Sequence, residues 1–102
     1  MKKINLTKVE VLSYDKNNYG KFFYEFVIKM KPKVILEMGS YMGYSGLHFA
    51  SGLRDNKIKS QLILVDLWSN YLYRKCSKKD IINSFKINNF DKDKNLTIFN
   101  CL

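Results

Sequence analysis

Apolar and charged residues alternate at helical spacing between positions 19 and 30 of the chain. The apolar set is Tyr19, Phe22, Phe23, Phe26, Val27 and Met30. Either Asn17 or Asn18 stands where a side chain can cap the first turn, and Pro32 stands where a helix must stop. The pattern predicts an amphipathic helix whose aromatic stripe packs into a core.

Two later runs, residues 34–38 and 61–66, are apolar on successive positions and carry an acid at or near their ends, Glu37 and Asp66. Unbroken hydrophobicity is typical of a parallel strand that helices cover on both faces. Residues 96–99 form a third, shorter run. The pattern predicts three strands, the first of them central in its sheet and covered on both sides.

The segment between the first two runs predicts a second helix. Gly46, Ala50 and Leu53 share one face of it, and small residues there allow the helix to lie close to the sheet. His48 points away from that face and is predicted to be exposed to solvent. Either Gly52 or the charged cluster just after it is predicted to end the helix.

A third helix is predicted from the capping-box spacing of Ser77 and Asp80. Its predicted buried face is Ile81, Ile82, Phe85 and Phe90. Helices and strands that alternate along a chain favour an α/β fold with a parallel sheet. We therefore predict one α/β domain over residues 17–102, preceded by a lead-in segment over residues 1–16.

A glycine-rich turn joins the first strand to the second helix. It has the spacing Glu37-x-Gly39-x-x-x-Gly43, and Asp66 follows at the end of the second strand. Glycines let a backbone turn sharply and let a ligand approach it closely, and a helix start presents free N–H groups. An acid at the end of the second strand accepts hydrogen bonds from a ribose diol in nucleotide-binding folds. The combination predicts a nucleotide-like cofactor site.

These residues carry a resemblance to a known family. The segment 34–45, with its Glu-x-Gly-x-x-x-Gly-x-Ser turn, resembles the first cofactor motif of class I S-adenosylmethionine-dependent methyltransferases, in their small-molecule branch. The segment 64–68, Leu-Val-Asp-Leu-Trp, is similar to the second motif of that branch. The likeness covers residues 20 to 102 approximately. It implies a partial Rossmann-like parallel sheet, strand order 3-2-1, with flanking helices.

The resemblance also implies a cofactor and roles for single residues. Gly39 would lie beside the methionine moiety of S-adenosylmethionine, and Glu37 would order the turn near its amino end. Asp66 would hold the ribose. The implied cofactor-binding residues are Glu37, Gly39, Ser40, Gly43, Tyr44, Ser45, Asp66, Leu67 and Trp68. The implied reaction is methyl transfer to a small-molecule acceptor, with the acceptor atom and the catalytic base left open.

Each candidate residue also has a purely structural interpretation. Glu37 alone would be an exposed carboxylate at a strand end, and Asp66 would cap the next segment. Trp68 and Tyr71 would only pack. A fragment of an NAD(P)-binding oxidoreductase is an alternative that uses the same acids, although the Gly-x-Gly-x-x-Gly spacing is absent.

Members of the resembled family normally continue through further strands, which supply the acceptor site and any base. We therefore expect this chain to be the N-terminal part of a longer enzyme or a truncated gene product. A strand at 34–38 without a neighbour would expose a long apolar edge. Residues 9–12, the missing C-terminal half or a second copy in a homo-oligomer are the candidates that would shield it.

The composition of the chain bears on whether it binds nucleic acid. The chain has 102 residues and a net charge of +9, with sixteen lysines among its 18 basic residues and only Arg54 and Arg74 beside them. Because the lysines are scattered, a solvated surface is the favoured interpretation over nucleic-acid binding. A non-enzymatic basic module for nucleic acid or a partner protein remains the second alternative.

The two cysteines, Cys76 and Cys101, lack the spacing of a zinc site, so no metal is expected. No apolar run approaches the roughly 20 residues of a membrane span. Since no signal peptide is evident either, the sequence predicts a cytoplasmic protein without a membrane partner.

Overall fold

The computed structural model describes residues 2–7, 9, 13–68 and 77–100, the side chains of residues 13, 14, 99 and 100 excepted. Its elements in chain order are α1 (Ser13–Lys16), α2 (Tyr19–Met30), β1 (Val34–Met38), α3 (Tyr44–Asn56), β2 (Gln61–Asp66), α4 (Lys78–Ile87) and β3 (Leu96–Asn100). The three strands form one parallel sheet in the order β1-β2-β3. The predicted α/β fold, with three parallel strands in the order 3-2-1 and flanking helices, is confirmed.

One face of the sheet forms the core. Ile35 pairs with Leu62, and Leu62 with Leu96, so their side chains lie on the same face. Both α3 and α4 pack there, because a Cβ on Gly46 would lie 3.0 Å from Leu64 and 3.2 Å from Phe85.

The opposite face of β1 is open in the described part of the chain. Its residues Val34, Leu36 and Met38 are 56%, 59% and 69% exposed. A central strand with helices on both faces was predicted. Among the described residues β1 instead lies at the end of the strand order and pairs only with β2, so both parts of that prediction are wrong there. An apolar run shows which residues favour burial, but what covers them depends on the neighbouring elements.

Helix α3 is buried on two sides. Its sheet side carries Gly46, Ala50 and Leu53, and the predicted sharing of that face is confirmed by their burial. The other side packs against α2, where a Cβ on Gly52 would meet Val27 at 2.8 Å. The prediction that His48 is exposed is wrong. It is only 4% exposed, since α2 covers the side of α3 that points away from the sheet.

His48 fills the space that Gly20 of α2 leaves open. Its Nδ1 lies 2.7 Å from the main-chain oxygen of Tyr44. An added Cβ on Gly20 would lie 2.2 Å from its Nε2. Burial lowers the pKa of His48, so the ring is neutral at physiological pH.

Gly20→Ala tests this contact. We expect it to lower the free energy of unfolding by about 2 kcal/mol, the cost of overpacking a filled site. In a His48→Ala background the same substitution should leave the free energy of unfolding unchanged or raise it, because alanine has a higher helix propensity than glycine. Urea unfolding of the four chains measures both values. Equal losses in the two backgrounds would contradict the packing described here.

The helix ends follow the sequence in part. Asn18 precedes α2 with a left-handed φ of 60° and makes no side-chain cap bond, so of the two predicted caps the Asn18 alternative is wrong. The structure ends α3 at Asn56, which decides between the two predicted ends in favour of the charged cluster rather than Gly52. The predicted capping box of Ser77 and Asp80 is confirmed.

The buried face of α4 also departs from prediction at one position. Ile81 and Phe85 are buried, as is Phe90 just beyond the helix, whereas Ile82 is exposed. The sequence places two isoleucines side by side, and neighbouring helical positions differ by about 100° in direction, so only one of them faces the core.

The lead-in segment docks on the domain near the end of α4. Ile4 and Val9 are buried in the core. The Asn5 N–H donates to Oδ1 of Asn88 at 2.7 Å, and Nδ2 of Asn88 donates to the Asn5 oxygen at 2.9 Å. Most of the 9–12 segment expected to shield β1, together with Tyr71, Arg74, Cys76 and Cys101, lies outside the described residues.

Two features of the described residues concern membrane spans and metal sites. No helix among them is both long and apolar enough to cross a membrane. No three of their His, Cys, Asp and Glu side chains are grouped as a metal site would require.

Candidate functional site

The glycine turn leaves β1 and folds over the end of β2. The N–H groups of Gly39 and Ser40 both donate to the main-chain oxygen of Val65, at 2.7 and 3.3 Å. Because β1 and β2 are parallel and Glu37 pairs with Leu64, Glu37 and Asp66 lie at the same edge of the sheet. We call this the carboxyl edge, defined by residues 37–45 and 66–68.

Of the two acids at this edge, Glu37 has the fewer hydrogen bonds to the described residues. Its Oε2 accepts a hydrogen bond from Oγ of Ser45. Its Oε1 is buried and has no hydrogen-bond partner within the described part of the chain. Burial raises the pKa of Glu37, the hydrogen bond from Ser45 opposes the rise, and the nearby charge of Asp66 adds to it. A cationic donor is the group that would complete this site.

Three of the residues that the resemblance assigns to the cofactor, Ser40, Tyr44 and Ser45, use their hydroxyl groups in contacts within the protein. Ser40 is buried, and its Oγ donates to the main-chain oxygen of Glu37 at 3.5 Å. Oγ of Ser45 serves the Glu37 carboxylate. The Tyr44 hydroxyl accepts the N–H of Gly20 at 3.0 Å and donates to Asp15 at 3.2 Å. These hydroxyl groups therefore stabilise the turn through hydrogen bonds within the protein.

The two glycines of the turn have different surroundings. Both have left-handed backbone, with φ of 84° at Gly39 and 86° at Gly43. A Cβ on Gly43 would lie 2.9 Å from Ile81 and 3.0 Å from Phe85, whereas one on Gly39 would have no atom of the described residues within 4 Å. Gly43 thus allows α4 to approach the turn, whereas Gly39 leaves open space beside it among the described residues.

Asp66 joins the two loops of the carboxyl edge. Its Oδ2 accepts the Tyr41 N–H at 2.6 Å, and its Oδ1 accepts the Trp68 N–H at 3.1 Å. The indole N–H of Trp68 donates in turn to the Tyr41 oxygen at 2.6 Å. Because a carboxylate has about four acceptor positions, the described residues leave two of them unfilled.

Tyr41 is the residue that sequence reasoning missed. It has a left-handed φ of 47°, which a non-glycine residue holds only when its surroundings fix it, and the bonds to Asp66 and Trp68 do so. It acts through its main chain, so its side-chain type carries no signal of this role.

Leu67 and Trp68, the last two of the residues that the resemblance assigns to the cofactor, differ in exposure. Leu67 is 42% exposed, whereas Trp68 is 2% exposed and its indole bonds to the turn. Leu67 therefore presents a surface at the carboxyl edge, and Trp68 supports the turn from within.

Asp66→Asn should weaken the connection that Asp66 makes between the two loops of the carboxyl edge. An amide offers one acceptor oxygen, so one of the two main-chain N–H groups loses its partner, and we expect a loss of about 1.5 kcal/mol in the free energy of unfolding. Trp68 is the only tryptophan in the chain, so its emission reports on the same loop during urea unfolding. An unchanged midpoint and unchanged emission would contradict the bonding scheme.

The comparisons with known proteins agree with this architecture. No protein-family model and no curated protein matches the chain. Among solved structures, it is similar to the SAH-bound methyltransferase PaMTH1 of Podospora anserina, with a TM-score of 0.63 and 23% sequence identity over 91% of the chain. The two share a fold. The chain spans about a third of the length of that methyltransferase, since 33% of the latter is covered.

Proposed function

We propose that this chain binds S-adenosylmethionine and supplies the cofactor-binding part of an enzyme that methylates a small molecule. The observation that carries the proposal is the buried Oε1 of Glu37, which no donor in the described chain satisfies. The open space at Gly39 and the acceptor positions left on Asp66 lie at the same edge.

The amino group of the ligand is assigned to Glu37. It is cationic at neutral pH and can donate to the unpartnered oxygen, which removes the cost of a buried carboxylate without a donor. Gly39 would then contact the methionine chain, because its lack of a side chain leaves the needed space.

The adenosine half is assigned to the end of β2. The ribose hydroxyls donate to the acceptor positions of Asp66 that the main chain leaves open. The exposed side chain of Leu67 is placed beside the sugar or the adenine. Trp68 holds the loop in the geometry that both contacts require.

The cofactor, when bound, supplies an activated methyl group that a nucleophile can displace from its sulfonium in line. The residues of this chain orient that group, which lowers the entropic part of the barrier. We assign the acceptor pocket and any base to further chain that covers the open face of β1. The 56–69% exposure of Val34, Leu36 and Met38 supports that assignment.

Calorimetric titration with S-adenosylhomocysteine and with NADH tests the proposal. Both ligands carry a ribose whose hydroxyl groups can donate to Asp66, but only the former carries an amino acid for Glu37. We expect binding of S-adenosylhomocysteine and at least tenfold weaker binding of NADH, the factor that about 1.4 kcal/mol gives. Tighter binding of NADH would overturn the proposal in favour of a dinucleotide site.

A further inference from the structure

The lysines that are scattered along the sequence are gathered in space. Parallel strands all begin at one edge of a sheet, and each strand here is preceded by a lysine-bearing loop. We call this the amino edge, defined by residues 31–33, 54–60 and 88–95. Its loops are joined by hydrogen bonds from Oγ of Ser60 to the Pro32 oxygen at 2.8 Å and from the Gln61 N–H to the Lys33 oxygen at 2.9 Å.

Charge at the amino edge is predominantly positive. Seven basic residues stand there against three acidic ones, Asp55, Asp91 and Asp93. The basic residues are Lys31, Lys33, Arg54, Lys57, Lys59, Lys92 and Lys94, all exposed. Within the described part of the chain the six lysines form no ion pair, and Arg54 pairs with Asp55 at 3.7 Å. Unpaired lysines are free to contact an anion.

A cavity of about 230 Å³ opens at the same edge, between the ends of α3 and α4 and the starts of β2 and β3. Apolar side chains, among them Leu53, Leu62 and Phe90, form its walls. The Arg54 guanidinium lies over the Phe90 ring, 4.8 Å from its centre, and so presents a flat cationic surface at the opening.

Two asparagines line the cavity with amide groups that remain available. The side chains of Asn89 and Asn95 make no hydrogen bond to the described residues. An amide offers both donors and an acceptor, which is the pattern that reads the polar edge of a nucleobase. Apolar walls, a flat guanidinium and free amides together suit one planar, polar-edged ring.

The size of the cavity limits what enters it. Ligand pockets usually measure about 300–1,000 Å³, so this one admits a single ring and leaves any attached phosphate outside. Outside, the lysines lie on three separate loops, and neighbouring strands are about 4.8 Å apart. A chain of phosphates that crosses the edge can contact all three loops in turn.

We propose that the amino edge binds a single-stranded polynucleotide, with one base in the cavity and the phosphate backbone across the lysine loops. The site is separate from the carboxyl edge, because a strand of five residues spans roughly 16 Å at about 3.3 Å per residue. The proposal can therefore be tested independently of cofactor binding.

The phosphate contacts are tested by fluorescence anisotropy with a labelled ten-nucleotide single strand at several salt concentrations. Lys59→Gln/Lys94→Gln removes charge from two loops of the amino edge, and the slope of log K against log salt should fall by about 1.4, or about 0.7 for each lost contact. Lys16→Gln/Lys79→Gln is the matched control, because both residues are exposed and lie in α1 and in the first turn of α4. Equal effects in the two pairs, or no binding by the unaltered chain, would overturn the proposal.

The cavity is tested by Asn89→Gly, which suits the left-handed φ of 62° at that position and removes only the amide. We expect affinity for the ten-nucleotide strand to fall about fivefold with an unchanged salt slope, since the lost contacts are uncharged. Emission of Trp68 checks that the variant is folded. Unchanged affinity, or displacement of the strand by AMP at equal nucleotide concentration, would overturn the proposal.

Discussion

Gly43→Ala is expected to lower the free energy of unfolding by about 3 kcal/mol, and Gly39→Ala by only about 1 kcal/mol. Both glycines have left-handed backbone, so alanine is strained at either position. Only at Gly43 does the new Cβ also meet packed side chains, those of Ile81 and Phe85 at 2.9 to 3.0 Å. Urea unfolding followed by Trp68 emission measures the two losses.

Ligand binding should reverse the order of the two variants. An alanine Cβ at Gly39 enters the open space assigned to the ligand, so affinity for S-adenosylhomocysteine should fall by at least about a hundredfold, the factor that 2.7 kcal/mol gives. Gly43→Ala should bind almost normally for each folded molecule, because its Cβ points to α4. Equal stability losses in the two variants, or normal binding by Gly39→Ala, would contradict the roles assigned to the glycines.

Glu37→Gln should remove a pH dependence of stability from the ligand-free protein. Burial raises the pKa of Glu37 in the folded chain above its ordinary value of 4.5, so the folded state favours the protonated acid. Its contribution is therefore fully present below pH 4.5 and is lost as the pH rises through the elevated pKa. We expect the glutamine variant to be the more stable chain at pH 7 and to lack this loss.

The same substitution should weaken cofactor binding. Glutamine keeps the shape of the side chain but lacks the charge that pairs with the amino group, and about 2 kcal/mol for a charge-assisted bond gives roughly thirtyfold weaker binding of S-adenosylhomocysteine. 5′-Methylthioadenosine is the matched ligand, because it has the adenosine half and lacks the amino-acid part with its cationic amino group. A similar loss of affinity for both ligands would show that Glu37 does not bind the amino group.

Local patterns predicted the sheet and the glycine turn well, and the reason is physical. Apolar runs, glycine spacing and the capping box of Ser77 act over a few residues, so the sequence shows them directly. The common edge of Glu37 and Asp66 follows from parallel pairing, which the alternation of helices and strands implies.

Features that depend on two distant elements were not predictable in this way. His48 is buried because Gly20, on another helix, leaves space for its ring. The open face of β1 reflects the absence of a covering element among the described residues. Tyr41 joins two loops through its main chain, which no side-chain pattern reveals.

The charge pattern shows the same limit. Lys33, Lys59 and Lys94 are far apart in the sequence and suggest only a solvated surface. The parallel topology places each of them just before a strand, at one edge of the sheet. The two edges then differ in charge, with Glu37 and Asp66 at the carboxyl edge and lysines at the amino edge.

The most direct test of the cofactor proposal is a titration of the isotopically labelled chain with S-adenosylhomocysteine, followed through its backbone amide signals by NMR. Binding at the carboxyl edge predicts saturable shifts at residues 37–45 and 66–68, with the amide of Gly39 among the largest. The amide signals of the amino edge, such as those of Lys59 and Asn89, should not shift. Shifts confined to the amino edge, or none at millimolar ligand, would contradict the proposed site.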